Sequence, residues 1–320
     1  QLLQSSRKVL GRRLFNGLVK PTLFRQFVGG DTEESITRAV QKLQNDGIGP
    51  MLMLPMEEDA GQETISETWY DRNLDLMIKG LKLTKSFGEK HPMLQIKLTA
   101  LLSGSLCQRI SECCPEPSAE PGTIETIANA LLTRKSEARD LGVLILVDAE
   151  YTYLNPALNL LALAMMCHTA DKQPIIMYTY QNYLKATHAL LCRDVDFILA
   201  NGVCFGSKLV RGAYMDKERK LAGIKVTRIL MRMYDIEPTN DHVFFAQVYG
   251  MGDFMTVILG QSNYKVYKSI PYGIPEDTLP YLSRRVTENR AVLDGARRER
   301  ILLKATLKER LVGRKQSIEN

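Results

Sequence analysis

The chain is poor in the residues that metal and disulfide chemistry draw on. Its four histidines, His91, His168, His188 and His242, are scattered, so no His-based metal cluster is expected and no metal site is assigned. Six cysteines form no CxxC pair, and only Cys113 and Cys114 lie close, as neighbours that seldom bridge. This pattern suits free thiols in a reducing compartment, not a disulfide framework. No apolar run reaches the roughly 18 residues of a membrane span, and Leu158 to Cys167 falls well short. A soluble or peripheral protein is therefore expected. The glycine-rich phosphate loop that many barrels carry near their last two strands is also missing, which argues against phosphate handling.

What is present is ordinary for a globular chain. Apolar residues make up 45% and charged residues 24% of 320 residues, enough to bury one large α/β core. The net charge of +6 is concentrated at the two ends. The first 30 residues hold six Lys or Arg and no acid, as in a mitochondrial presequence or the segment just after one. From Arg297 to Lys315 there are eight basic and two acidic residues. Leu302, Leu303, Leu307 and Leu311 recur there at near-helical spacing, which predicts a basic amphipathic helix suited to a membrane surface or to packing on the domain. Aromatics are sparse in that tail, so nucleic-acid binding has little support.

Between the ends, strand and helix alternate. Asp31 and Glu34 predict a capped helix start, with Ile36, Val40 and Leu43 on one face. Strands are predicted to begin at Met51, Leu94, Val143, Pro174, Phe205, His242 and Tyr264, with long helices over about Ile65–Ser86, Ile124–Leu141 and Pro156–Met166. The natural architecture is a parallel (βα) barrel, whose chemistry sits at strand C-termini. Lys97, Asp148, Gln181 and Arg211 all fall near such ends, and Val143–Val147 terminates in Asp148 and Glu150. After Glu218 the count runs short. A βα unit needs about 30 residues, and Tyr214 to Gln247 leaves room for only one, with Gly223 to Val226 as a candidate stub of another. The sequence divides into a basic helical segment at 1–49, a barrel at 50–292 and a basic tail at 293–320.

Two stretches carry the sharpest chemistry. Lys208-Leu-Val-Arg-Gly-Ala-Tyr-Met-Asp-Lys-Glu218 delivers cations and a glycine to a strand end, where a ligand can approach the backbone. Tyr281-Leu-Ser-Arg-Arg-Val-Thr-Glu-Asn289 places Arg284 and Arg285 on adjacent faces of a helix, one turn from Glu288. Alone, that pair reads better as a solvated helix face with weak ion pairs. With Gln95-Ile-Lys97-Leu-Thr-Ala100 and Val147-Asp148-Ala-Glu150, in this order from Phe27 to Leu303, the chain resembles the flavin-dependent proline dehydrogenase family.

The resemblance implies a distorted (βα)8 TIM-type barrel with non-covalent FAD, oxidation of an imino acid to a cyclic imine, and electron transfer to ubiquinone at the matrix side of the mitochondrial inner membrane. It implies that Arg284, Arg285 and Lys97 clamp the substrate carboxylate, that Tyr281 packs on its ring and that Tyr214 walls the site. It assigns Asp148, Gln181, Lys208, Val210, Arg211, Gly212, Ala213, Gln247 and Glu288 to the flavin or its supports. Where proline-specific members have a tyrosine two residues before Pro-Tyr-Gly, this chain has Ser269, as in the hydroxyproline branch. A small hydroxyl-bearing residue leaves room and a hydrogen-bond partner for a ring hydroxyl. Hydroxyproline is the expected substrate, with proline as the alternative. The family has a further helix and strand between Arg219 and Asp241 that have no counterpart here. The resemblance thus implies a (βα)8 barrel lacking one βα unit in this shortened region, and with it weak FAD binding or a flavin-deficient binding protein.

Overall fold

The computed structural model describes residues 11, 14–56, 66–113, 141–168, 173–210, 231 and 235–285. The predicted C-terminal basic helix, nearly all of the helix predicted at 124–141, and the region from Arg211 to Leu230 lie outside the described residues.

Seven strands form one sheet: β1 (Gly49–Met53), β2 (Met93–Ile96), β3 (Leu144–Val147), β4 (Ile176–Gln181), β5 (Ser207–Val210), β6 (Phe245–Val248) and β7 (Val266–Pro271). All neighbouring pairs are parallel and the order is β5-β4-β3-β2-β1-β7-β6. Every strand is one the alternation predicts. The sheet is a curled, incomplete barrel. Among the described residues β5 and β6 are its two ends.

Side chains alternate between a helix-covered outer face and an inner face. Leu52, Leu94, Ile96, Ile145, Val147, Tyr178 and Ile270 point outward into one large core with the helices. Each fully buried Leu or Ile there contributes about 1.5–3 kcal/mol. The alternating set, Met51, Met93, Leu144, Leu146 and Tyr267, fills the lower interior, joined by Phe244. Phe244 meets Tyr267 edge-on at 5.6 Å and so closes the floor. The interior is packed below and polar above.

The covering helices are α1 (Glu33–Asn45), α2 (Glu67–Ser86), α3 (Gly104–Cys113), α4 (Asn155–His168), α5 (Thr187–Ala200), α6 (Asp253–Gln261) and α7 (275–285). The α1 cap is one residue later than predicted. Thr32 and Ser35 form the capping box, while Asp31 accepts from Lys20 at 2.6 Å instead. Both hydroxyl residues were available to the backbone amides, and the lysine draws the carboxylate away. The α3 and α6 helices were not foreseen: α3 follows a short 3₁₀ turn, and α6 is only nine residues long.

The residues before β1 are tied into the barrel. Gly29 N–H donates to Pro271 O, and Gly30 bridges Tyr272. Upstream, Phe15, Val19, Phe24, Phe27 and Val28 form a second core with Met53, Leu279, Tyr281 and Leu282. This N-terminal helical arm thus lies against α7 at the C-terminal end of β1. An ion pair of 2.6 Å between Arg72 and Asp277 ties α7 to α2.

Candidate active site

Because all seven strands run one way, their C-terminal ends share a single mouth. The predicted strand at Leu94–Ala100 stops at Ile96, so Lys97 is not mid-strand. It opens the 3₁₀ turn Leu98–Ala100, and its side chain is buried at the mouth. A lysine there is held among acids and ligand-facing groups instead of being stranded in a ladder.

The inner face carries a hydrogen-bond chain that crosses the barrel. Ser269 Oγ on β7 donates to Gln95 Oε1 on β2 at 2.9 Å. Gln95 Nε2 donates to Asp148 Oδ2 at 2.6 Å, and Lys208 Nζ on β5 donates to Asp148 Oδ1 at 2.7 Å. Met53 of β1 lies beneath, with its Sδ 3.3 Å from Gln95 Nε2. Gln95, Asp148 and Ser269 are all buried. Groups from strands far apart in sequence therefore act as one polar wall.

A second polar layer lies at the next turn of the loops. Thr99 donates from its hydroxyl to both oxygens of Glu150, at 2.8 and 2.7 Å. Asn155 Nδ2 donates to Gln181 Oε1 at 2.9 Å, and Gln181 Nε2 donates to Glu150 O at 3.1 Å. Burial pushes the Glu150 carboxyl above the usual range, while the Lys97 cation and the Thr99 hydrogen bonds pull it back.

On α7, Arg285 is buried with its guanidinium 5.1 Å from the centroid of the Tyr281 ring. Arg284 is half-buried beside it, and the Nε atoms of both arginines are buried. Tyr281 shares its cluster with Met53, which touches Gln95. The arginine helix is thereby joined to the polar wall. A guanidinium stacked on an aromatic ring is pre-organised for a planar anion.

The structure thus brings Ser269, Asp148 and Lys208 into one chain, sets Lys97 beside Glu150, and ties Gln181 to the Glu150 backbone. Val210 is the register partner of Gln181 on the edge strand. Gln247 is placed elsewhere. It pairs with Lys268 and shares that residue's outward face, where Thr256 of α6 donates to its Oε1 at 3.5 Å. The period of two along β6 sends Ala246 and Val248 inward and Gln247 toward the helices. Arg211, Gly212, Ala213, Tyr214 and Glu288 lie outside the described residues. Gln95, Thr99 and Asn155 were not selected as site residues. The signal for Gln95 was a lone amide in an apolar strand, two residues before Lys97 and so on the same face.

No group of three or more His, Cys, Asp or Glu among the described residues could hold a metal ion. A parallel barrel with cations gathered at its strand ends is the architecture of a small-molecule enzyme. The chain belongs to the proline dehydrogenase family. The family model for proline dehydrogenase matches residues 36–230 and 224–298. Its two pieces overlap at residues 224–230, between the last residue of β5 and the first of β6.

The chain is similar to hydroxyproline dehydrogenase of Xenopus laevis, 37% identical over 97% of this chain and 82% of that protein. It is 36% identical to the rat (Rattus norvegicus) hydroxyproline dehydrogenase, over 97% and 86%. Mitochondrial proline dehydrogenase 1 of Bos taurus is 26% identical over 98% and 84%. The Xenopus alignment runs to 385 positions, longer than this whole chain, so that relative carries residues this one lacks. Its fold is similar to that of proline utilization A (PutA) from Bdellovibrio bacteriovorus inactivated by N-propargylglycine. The TM-score is 0.69 at 16% identity, over 86% of this chain and 34% of that one, so this chain spans about a third of it. The protein is an oxidoreductase of the proline dehydrogenase family, acting on the CH–NH group of a proline-type imino acid.

Proposed function

We propose that the protein oxidises trans-4-hydroxy-L-proline to 1-pyrroline-3-hydroxy-5-carboxylate with bound FAD, passing the electrons to ubiquinone at the matrix side of the mitochondrial inner membrane. The observation that carries the choice of substrate is the buried hydroxyl of Ser269, set in an inward-facing polar wall where a bulky ring would fill the space. Relatives named hydroxyproline dehydrogenase at well over 30% identity support the same substrate.

The residues present fit a flavin. Gln181 ends β4 and Lys208 lies within the adjacent β5, with Asp148 holding Lys208 in place. Residues Arg211, Gly212, Ala213 and Glu288 are assigned to the same group. When bound, FAD supplies a two-electron acceptor for the carbon beside the ring nitrogen. The protein's own part is orientation. Arg284, Arg285 and Lys97 take the carboxylate, Tyr281 takes the ring face, and the apolar floor of Met51, Tyr267 and Leu146 keeps water from below. The proton-bearing nitrogen needs no nucleophile from the chain.

Quinone reduction and inner-membrane contact rest on family membership and on the basic segment at 293–320. Relatives named mitochondrial proline dehydrogenase support the compartment. No helix among the described residues is long and apolar enough to cross a membrane, which accords with surface contact.

Anaerobic addition of 4-hydroxyproline to the purified protein is the test. Bleaching of the flavin absorbance supports the assignment, and an unchanged flavin spectrum with either imino acid refutes it. The shortened region favours loose cofactor retention, so flavin is expected to copurify below unit stoichiometry.

A further inference from the structure

We infer that Gln95 is a positioning residue that makes Ser269 a hydrogen-bond acceptor toward the ring hydroxyl of the substrate. The inference rests on the hydroxyproline reading above and deepens it.

The direction of each hydrogen bond follows from chemistry, beginning with the two charged groups. Lys208 is a donor only and Asp148, ionised, is an acceptor only, so their 2.7 Å contact leaves the second carboxylate oxygen still seeking a donor. Gln95 lies 2.6 Å from that oxygen. Its amide must present NH2 there, because the opposite orientation would set two acceptors against each other. Once the NH2 faces Asp148, the carbonyl oxygen faces β7. Ser269, 2.9 Å away, has no choice but to donate its one proton to it. The other neighbour of Ser269 Oγ is Met53 Sδ at 3.8 Å, a weak acceptor that cannot donate.

Toward the described residues the hydroxyl therefore keeps its lone pairs uncommitted. Among the described residues both hydrogen bonds of Ser269 Oγ use it as donor. A ligand group that meets it is bound well only if it donates. The 4-hydroxyl of hydroxyproline does, and the 4-methylene of proline does not. Discrimination then resides in the whole chain from Lys208 to Ser269, and not in the serine alone.

The experiment measures equilibrium binding of 4-hydroxyproline and of proline to the holoprotein by calorimetry, together with kcat/KM for each. Gln95→Met keeps the volume and removes both hydrogen bonds. The expected result is about a tenfold fall in affinity and kcat/KM for hydroxyproline, equivalent to about 1.4 kcal/mol, with proline changed less than about threefold. Ser269→Ala is expected to give the same loss, and the double variant no further loss. Gln95→Glu, which shares a proton with Asp148 and keeps an acceptor for Ser269, is expected to restore most of the preference.

Equal losses on both substrates in Gln95→Met, with wild-type preference intact in Ser269→Ala, would overturn the inference while leaving the assigned activity standing. If Gln95→Met fails to fold, Ser269→Ala and Gln95→Glu decide it, because an unchanged preference in the first or a lost one in the second refutes it. A wild-type protein that neither binds nor oxidises hydroxyproline overturns both.

Discussion

Removing the carboxylate of Asp148 isolates the energetics of the polar wall. Asp148 joins the Lys208 cation and the Gln95 amide, and its side chain keeps 12% of its exposure while that of Lys208 keeps 19%. Deleting one partner of a buried ion pair costs about 3–5 kcal/mol, because the other charge is left uncompensated. Lys208 retains some contact with water, so about 3 kcal/mol applies to Asp148→Ala, with about 1 kcal/mol more for the stranded Gln95 amide. For a chain of this size, about 4 kcal/mol lowers the melting temperature by roughly 8 °C. Lys208→Met added to Asp148→Ala removes the stranded cation and is expected to recover at least half of that loss. Thermal unfolding of the wild type, both single variants and the double variant measures the coupling directly. A double variant that melts lower than Asp148→Ala, with a coupling below about 0.5 kcal/mol, would show that the pair is not a unit and would break the chain of inference from Lys208 to Ser269.

Three other outcomes follow from the same geometry. Burial raises the Glu150 carboxyl above its unfolded value of 4.5, so the folded state prefers it protonated. Its contribution to stability is full below pH 4.5 and is lost as pH rises through the folded value. Glu150→Gln is therefore expected to stabilise the protein relative to wild type at neutral pH, with the gain vanishing below that point, as read from urea unfolding at a series of pH values. Ser269→Tyr should shift the kcat/KM ratio at least tenfold toward proline, since the ring removes both the space and the acceptor that a 4-hydroxyl needs. Lys97→Met is expected to raise KM for either imino acid more than tenfold, and steady-state kinetics on both substrates checks it.

Much of this architecture was legible because strands and helices differ in period. The seven strands appeared as short apolar runs at steady intervals, and parallel barrel strands buried on both sides show such runs most clearly. A shortage of residues between β5 and β6 was legible in the spacing, and the two pieces of the family match overlap there. Local competition was harder to read. Thr32 took the cap from Asp31 because Lys20, 11 residues upstream, claimed the acid. Lys97 left the strand because β2 ends at Ile96, and a strand boundary is decided by its neighbours' register.

Sequence by itself determined the order of elements, the absence of an intrinsic long apolar span, and the residue types at strand ends, because these depend on composition and spacing along one chain. Only the tertiary structure decided which of those residues meet. Gln247 turned outward with Lys268, while Gln95 became the link between Ser269 and Asp148. The reason is physical: a side chain's face follows from the parity of its position in a ladder. Its partner follows from the curvature that brings β7, β2, β3 and β5 around one interior, and neither quantity is carried by the order of residues alone.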